Sequence, residues 1–266
     1  MNTVSALGKS SLGMKYVMAA TGAVLFLFVV GHLVGNLQVF GPPELINGYA
    51  HCLNSKPLLL WGVRLGLLAV LTLHVVTAVQ LTLRNKDARP IGYLGGEGYG
   101  STWQSRYMLV SGLVILAFVA YHLAHFTALL PWVNGVGDFR KLEATLPGGV
   151  KAHDVYAMMI LGFQVWWVVL LYLAAQALLF IHLGHGLAAM FQSVGLRDHN
   201  WWPRIQFFAK ATSIAIFIGY ALIPISIYMH VIGVEYADKV RDKITQSPSA
   251  KSAAPAVKGG EITWPR

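Results

Sequence analysis

Residues 16–40 read YVMAATGAVLFLFVVGHLVGNLQVF, a run with no Asp, Glu, Lys or Arg and with one histidine, His32. A helix crosses the hydrocarbon core with about 20 apolar residues, and a helix is the single-segment conformation that satisfies its own backbone hydrogen bonds there. The run therefore predicts a membrane-spanning helix. Four more runs of the same kind follow, over 58–83, 107–133, 156–191 and 211–234. Together they predict an all-α integral membrane protein, a five-transmembrane-helix bundle over 16–234. A cytoplasmic N-terminal segment, 1–15, precedes it, and a polar, flexible tail, 235–266, follows. The fourth run is the longest and is expected to tilt or to project beyond the bilayer. The first continues too far past Lys15, without a small-residue cleavage site near its end, to read as a cleaved signal peptide.

Composition agrees. Of 266 residues, 56% are apolar and 12% charged, against about 25% charged in a typical globular chain. The net charge of +9 does not point to nucleic acid, because the basic residues are scattered between apolar runs. The one cysteine, Cys52, permits no internal disulfide, no Cys-x-x-Cys-His haem attachment and no all-cysteine metal site. Any metal held here is held mainly by histidine. Turns at Gly41-Pro42-Pro43, Gly95-Gly96-Glu97-Gly98 and Leu146-Pro147-Gly148-Gly149 separate the helices. With the N-terminus inside, Lys9, Lys15, Arg84, Lys86, Arg89, Arg106, Arg197, Arg204 and Lys210 fall on the cytoplasmic side. Lys56, Arg64, Arg140, Lys141 and Lys151 fall on the other, and the excess favours that orientation, although the basic tail then lies outside. Five spans do not divide into two equal inverted halves, and no transporter-type repeat is visible.

The chain has ten histidines against eleven acidic residues. Ionisable side chains in spans are costly and usually functional, and here they are His32, Arg64, His74, His122, His125, His182, His185 and His230. At 1.5 Å per residue, His32 lies about 24 Å past Tyr16, and His122 lies at nearly the same depth past Tyr107, both toward the outer face. His74 and His182 sit on helices running inward and fall in the inner half. Two histidine pairs at two depths are what two stacked bis-histidine haems require. His125 and His185 follow His122 and His182 by three residues on nearly the same helical face, so each is an alternative ligand or a propionate or quinone contact. Gly22, Gly31, Gly35, Gly66, Gly112, Gly162, Gly184 and Gly186 leave room for a porphyrin edge or for close helix packing. His51, His153 and His199 read as loop or helix-end residues, and His230 as interfacial.

These residues resemble the dihaem cytochrome b membrane-anchor subunit of succinate:quinone oxidoreductases, the single five-helix anchor of succinate dehydrogenases and fumarate reductases. The matching segments are Thr21-Gly22 to Gly31-His32-Leu33 with Gly35-Asn36-Leu37-Gln38; Leu73-His74; Asn85 with Ala88-Arg89-Pro90 and Tyr93; Ser105-Arg106-Tyr107-Met108 with Gly112 and Tyr121-His122-Leu123; and His182-Leu183-Gly184-His185-Gly186 with Phe191-Gln192-Ser193 and Gly195. The likeness covers about residues 8–230.

The resemblance implies one haem ligand on each of the first four helices, hence two haem b held by His32, His74, His122 and His182. It implies a flavoprotein subunit that oxidises succinate, an iron–sulfur subunit that passes the electrons on, and a membrane quinone, with menaquinone the expected type. It also implies a multi-pass place in the cell inner membrane and no catalytic residue for succinate in this chain. Some relatives use a glutamate two residues before the fourth ligand for proton transfer; Phe180 stands there, and no other buried acid is expected to replace it. Haem propionates need donors near a membrane face. Lys15, Arg84, Arg89, Arg106 and Tyr107 are inner candidates, and His51, Arg64, Lys151 and His153 outer ones, with snorkelling as the alternative for each cation. Trp103, Trp166 and Trp167 are quinone, haem or aromatic-belt candidates. Glu44 and Asn47 are proton-handling candidates for an outer quinone site.

Overall fold

The computed structural model describes residues 10–88 and 103–245. Five long helices carry the fold: α1 (Ser11–Asn36), α3 (Pro57–Asp87), α4 (Trp103–Phe126), α6 (Trp166–Ser193) and α7 (Trp202–Tyr228). Each is long and apolar enough to cross a membrane. Shorter elements lie between and after them: α2 (Pro43–Asn54), the hairpin β1 (Glu143–Thr145) and β2 (Lys151–His153), α5 (Val155–Gly162) and α8 (Val234–Thr245). Arg89, Pro90, Tyr93, the 95–98 turn and the tail beyond 245 lie outside the described residues.

Local chemistry sets the helix ends. The Ser10 hydroxyl accepts the Gly13 amide at 2.9 Å and starts α1, satisfying one of the orphan donors of the first turn. Pro43 and Pro57 stand at the starts of α2 and α3, where a missing N–H costs nothing. Along α3 the apolar side chains face outward: Leu58 is 90% exposed, and Leu59, Trp61, Leu65 and Leu68 are all more than half exposed. Exposed apolar surface of that extent suits hydrocarbon rather than water.

Contacts between the helices set their directions. Thr21 of α1 meets His74 of α3, Ser111 of α4 meets His182 of α6, and Tyr220 of α7 reaches the Val29 carbonyl of α1 at 2.8 Å. By position along each helix, α1, α4 and α7 run one way and α3 and α6 the other. The end where α1 begins is called the near end below.

The fourth apolar run is two helices, α5 and α6, rather than one. Gly162 ends α5 where a Cβ would stand 3.1 Å from His125 Nε2, and Val165 turns extended before α6 starts. The third run ends at Phe126 instead of 133, because Leu129 takes a left-handed φ of 53° and Pro131 cannot continue a helix. The fifth begins at Trp202, nine residues before 211, since Arg204, Gln206 and Lys210 are helical but polar. The segment expected to be a flexible tail from 235 opens with α8, whose Ala237 and Val240 are buried.

At the far end, α2, the hairpin, α5 and α8 form a cap over the bundle. Its centre is Asp154, only 2% exposed, which corrects the expectation of no buried acid. Its carboxylate accepts from Asn47 Nδ2 at 3.0 Å, the Ala157 amide at 3.0 Å and the Tyr236 hydroxyl at 2.7 Å. Asn47 in turn accepts the Tyr156 amide at 2.9 Å, so this side chain is fixed inside the cap rather than available as a proton-handling group. Beside it, burial pushes the His153 imidazole below its ordinary value, against the opposing influence of a Leu142 backbone hydrogen bond and the Asp154 charge.

Gly233 joins α7 to α8 at φ +80°, where a Cβ would lie 2.8 Å from Ile160 Cγ1 and 2.9 Å from its Cγ2. Gly233→Ala combines backbone strain with overpacking and is expected to destabilise the cap by about 2–4 kcal/mol. Thermal unfolding in detergent, compared with the parent chain, measures it.

Candidate haem-binding site

The histidines lie at two levels of the four-helix core formed by α1, α3, α4 and α6. At the far level, His32 of α1 and His122 of α4 face each other with ring centroids 5.7 Å apart and planes 84° apart. Phe28 stacks on His32 at 5.3 Å, and Tyr220 closes the same side at 6.3 Å. The Tyr172 hydroxyl lies 3.2 Å from His122 Nδ1 and 3.1 Å from His125 Nδ1. A phenol has one proton to give, so it donates to one ring and accepts from the other.

His125 faces the cap instead. It is fully buried, stacked on Phe126 at 3.9 Å and near Phe139 at 5.9 Å, and its Nε2 is buried with no hydrogen-bond partner. The residues that enclose it leave His122, not His125, on the side of His32. The three-residue spacing alone could not separate the two.

At the near level stand His74 of α3 and His182 of α6. Thr21 Oγ1 lies 3.0 Å from His74 Nδ1, and Ser111 Oγ lies 3.1 Å from His182 Nδ1. Each hydroxyl also reaches a carbonyl of its own helix: Thr21 that of Val17 at 2.8 Å, and Ser111 that of Met108 at 3.1 Å. The next residue makes room for each ring: a Cβ on Gly22 would sit 3.5 Å from His74 Cε1, and one on Gly112 3.3 Å from His182 Cε1. Among the described residues, His185 has no such hydroxyl partner. The break before α6 also removes the depth mismatch of His182: it lies 16 residues past Trp166 (182 − 166), as His74 lies 16 past Leu58 (74 − 58).

The other glycines divide between two roles. Gly184 packs on Ser213, Gly35 on Tyr49 and Gly162 on His125, which is helix packing; nothing stands within 4 Å of a Cβ on Gly31 or Gly66. Phe180 meets Phe217 at 5.9 Å, so an apolar contact occupies the position at which a proton-carrying acid is absent.

The cations lie toward the ends. Lys15 near the start of α1 and Arg106 near the start of α4 are exposed at the near end, as is Arg84 in the last turn of α3. At the far end Arg64 stacks over Trp61 at 5.2 Å, and Lys151 stands 3.9 Å from Glu143. Glu44 and Trp166 are exposed, while Trp167 stands 6.4 Å from Tyr121. His51 is in the last turn of α2, and His230 is exposed just after α7.

No family model matches the chain, nor does any curated protein or solved structure. The site is therefore read from its own residues. Among the described residues, no three or more His, Cys, Asp or Glu side chains gather into one metal cluster. Two imidazoles per level suit an iron whose remaining ligands come from a macrocycle. The donor set fits that group at both levels: neutral-nitrogen ligands from facing helices, glycine notches beside the near rings and aromatic walls around the far ones.

Thr21, Ser111 and Tyr172 are the residues that composition and depth do not single out. A signal for the first two is present in the sequence: the Thr21 of Thr21-Gly22 stands 11 residues before His32, and the Ser111 of Ser111-Gly112 stands 11 before His122. The pairs α1 with α3 and α4 with α6 thus use the same three positions, a hydroxyl and a glycine against the neighbour's histidine and a histidine 11 residues after the hydroxyl. Hydropathy hides the correspondence because it lies in these three positions.

Proposed function

We propose that this chain is the cytochrome b membrane anchor of a succinate:quinone oxidoreductase, passing electrons between an iron–sulfur subunit and a membrane quinone through two bis-histidine b haems. The observation that carries the proposal is the placing of four histidines, one from each of four helices, at two levels with their rings turned to the bundle interior. Along α1 the levels stand 11 residues apart (32 − 21), about 16 Å at 1.5 Å per residue.

When bound, the haems supply the one-electron chemistry. The chain holds and orients them. His32 and His122 would serve the far haem and His74 and His182 the near one, each through Nε2. Phe28, Phe118 and Tyr220 wall the far level, which lowers the local dielectric and keeps water out. Lys15 and Arg106 extend from the near end, where propionates would meet the membrane surface, and charged pairing there would orient the ring. Succinate chemistry belongs to a flavoprotein and an iron–sulfur subunit docked at the near, cytoplasmic end.

Purification of the native complex tests this reading. Expected are a flavoprotein and an iron–sulfur subunit in equal number with this chain, and b-haem bands reducible by succinate. Haem reduced only by formate or hydrogen, with the corresponding enzyme bound, would instead make the chain a dihaem anchor of that enzyme. Absence of haem would leave the histidines as a proton or metal relay of a transporter.

A further inference from the structure

We propose that Thr21 and Ser111 are positioning residues that fix the tautomer of the near-level ligands and thereby depress the potential of the haem they would hold. The proposal rests on the dihaem reading. It names a role for two hydroxyls on helices that do not carry the histidines they touch.

The geometry is the same twice. On α1, Thr21 Oγ1 stands 2.8 Å from the Val17 carbonyl and 3.0 Å from His74 Nδ1. On α4, Ser111 Oγ stands 3.1 Å from the Met108 carbonyl and 3.1 Å from His182 Nδ1. A carbonyl can only accept, and a hydroxyl carries one proton, so the arrangement that satisfies both contacts has the hydroxyl donating to its own helix. Its oxygen then accepts from Nδ1–H of the imidazole. That leaves the Nε2 lone pair free for iron. The glycine after each hydroxyl lets the ring lie against the helix, so hydroxyl and glycine together fix both tautomer and ring orientation.

Helix exchange follows from this arrangement. The hydroxyl of α1 serves the ligand of α3, and α1 gives its own histidine to the other level; α4 does the same with α6. The near level is therefore tied to all four helices, through the histidines of α3 and α6 and the hydroxyls of α1 and α4. Among the described residues the far level lacks the hydroxyl pair: His122 Nδ1 shares Tyr172 with His125, and His32 shows ring contacts with Phe28, His122 and Tyr220. The two levels thus differ in how strongly Nδ1–H is bonded. A stronger Nδ1–H bond makes the imidazole more basic and stabilises the oxidised iron.

Thr21→Val, Ser111→Ala and the double variant test this, read by redox titration and low-temperature electron paramagnetic resonance of the purified protein. The near-level potential is expected to rise in each single variant and further in the double, with an altered near-level resonance. The far-level potential is expected not to move. Thr21→Ser, which keeps the hydroxyl, is expected to behave as the parent. If Thr21→Val loses the near haem outright while Thr21→Ser keeps it, the hydroxyl role stands. Unchanged near-level potential and resonance in the double variant overturn it with the dihaem reading intact, and so does equal loss of haem from Thr21→Val and Thr21→Ser. A parent chain without haem overturns both.

Discussion

His74→Ala and His182→Ala are each expected to leave one haem per chain, the far one, and His32→Ala and His122→Ala to leave the near one. On the dihaem reading each variant would remove one of the two imidazoles that hold an iron, while the opposite level, about 16 Å away along the axis, keeps its own histidine pair. The specificity of the loss carries the content: the remaining haem should keep the potential it has in the parent. His125→Ala provides the contrast. Its ring is enclosed by Phe126, Phe139 and Tyr172 in the cap rather than turned toward His32, so two haems are expected to remain while thermal stability falls. Pyridine haemochrome assay and redox titration of the purified variants measure both outcomes. Loss of the far haem from His125→Ala with its retention in His122→Ala would reverse the assignment of α4.

Asp154→Ala is expected to cost about 3–5 kcal/mol in stability of the far-end cap. The carboxylate caps α5 through the Ala157 amide, a contribution of about 1 kcal/mol. It also satisfies Asn47 Nδ2 and the Tyr236 hydroxyl, and a buried donor left without an acceptor costs about 1–3 kcal/mol. Asp154→Asn keeps the shape and one acceptor oxygen, and the Tyr236 hydroxyl can turn to accept from the new amide, so less than half that loss is expected. Thermal unfolding followed by tryptophan fluorescence separates the two variants. Equal stability of Asp154→Ala and the parent would show that the network contributes nothing.

The crossing helices were legible because the requirement for spanning hydrocarbon is one-dimensional: enough consecutive apolar residues, as in 16–40. Where they end was not. Apolarity continues through Phe163 and Val165, although the chain turns there. Polar Arg204 and Lys210 hide the first turns of α7 from a hydropathy window. The levels of the histidines followed from counting residues, and the one misfit, His182 measured from Tyr156, came from the same hidden break.

What needed three dimensions was contact between distant positions. His122 and His125 share a helical face, and only α5, folding back with Gly162 against His125, distinguishes them. Asp154 reads as a loop acid, since its partners are 107 residues before it and 82 after it. Thr21 and Ser111 read as ordinary small polar residues of apolar helices until each is seen against the histidine of its neighbour.

The most direct measurement of the central claim is haem content per chain in the purified parent protein, taken with its reduced-minus-oxidised spectrum. Two low-spin b-type haems per chain, titrating at two potentials, are the expected result. One haem or none, or high-spin iron with an open axial position, would contradict it.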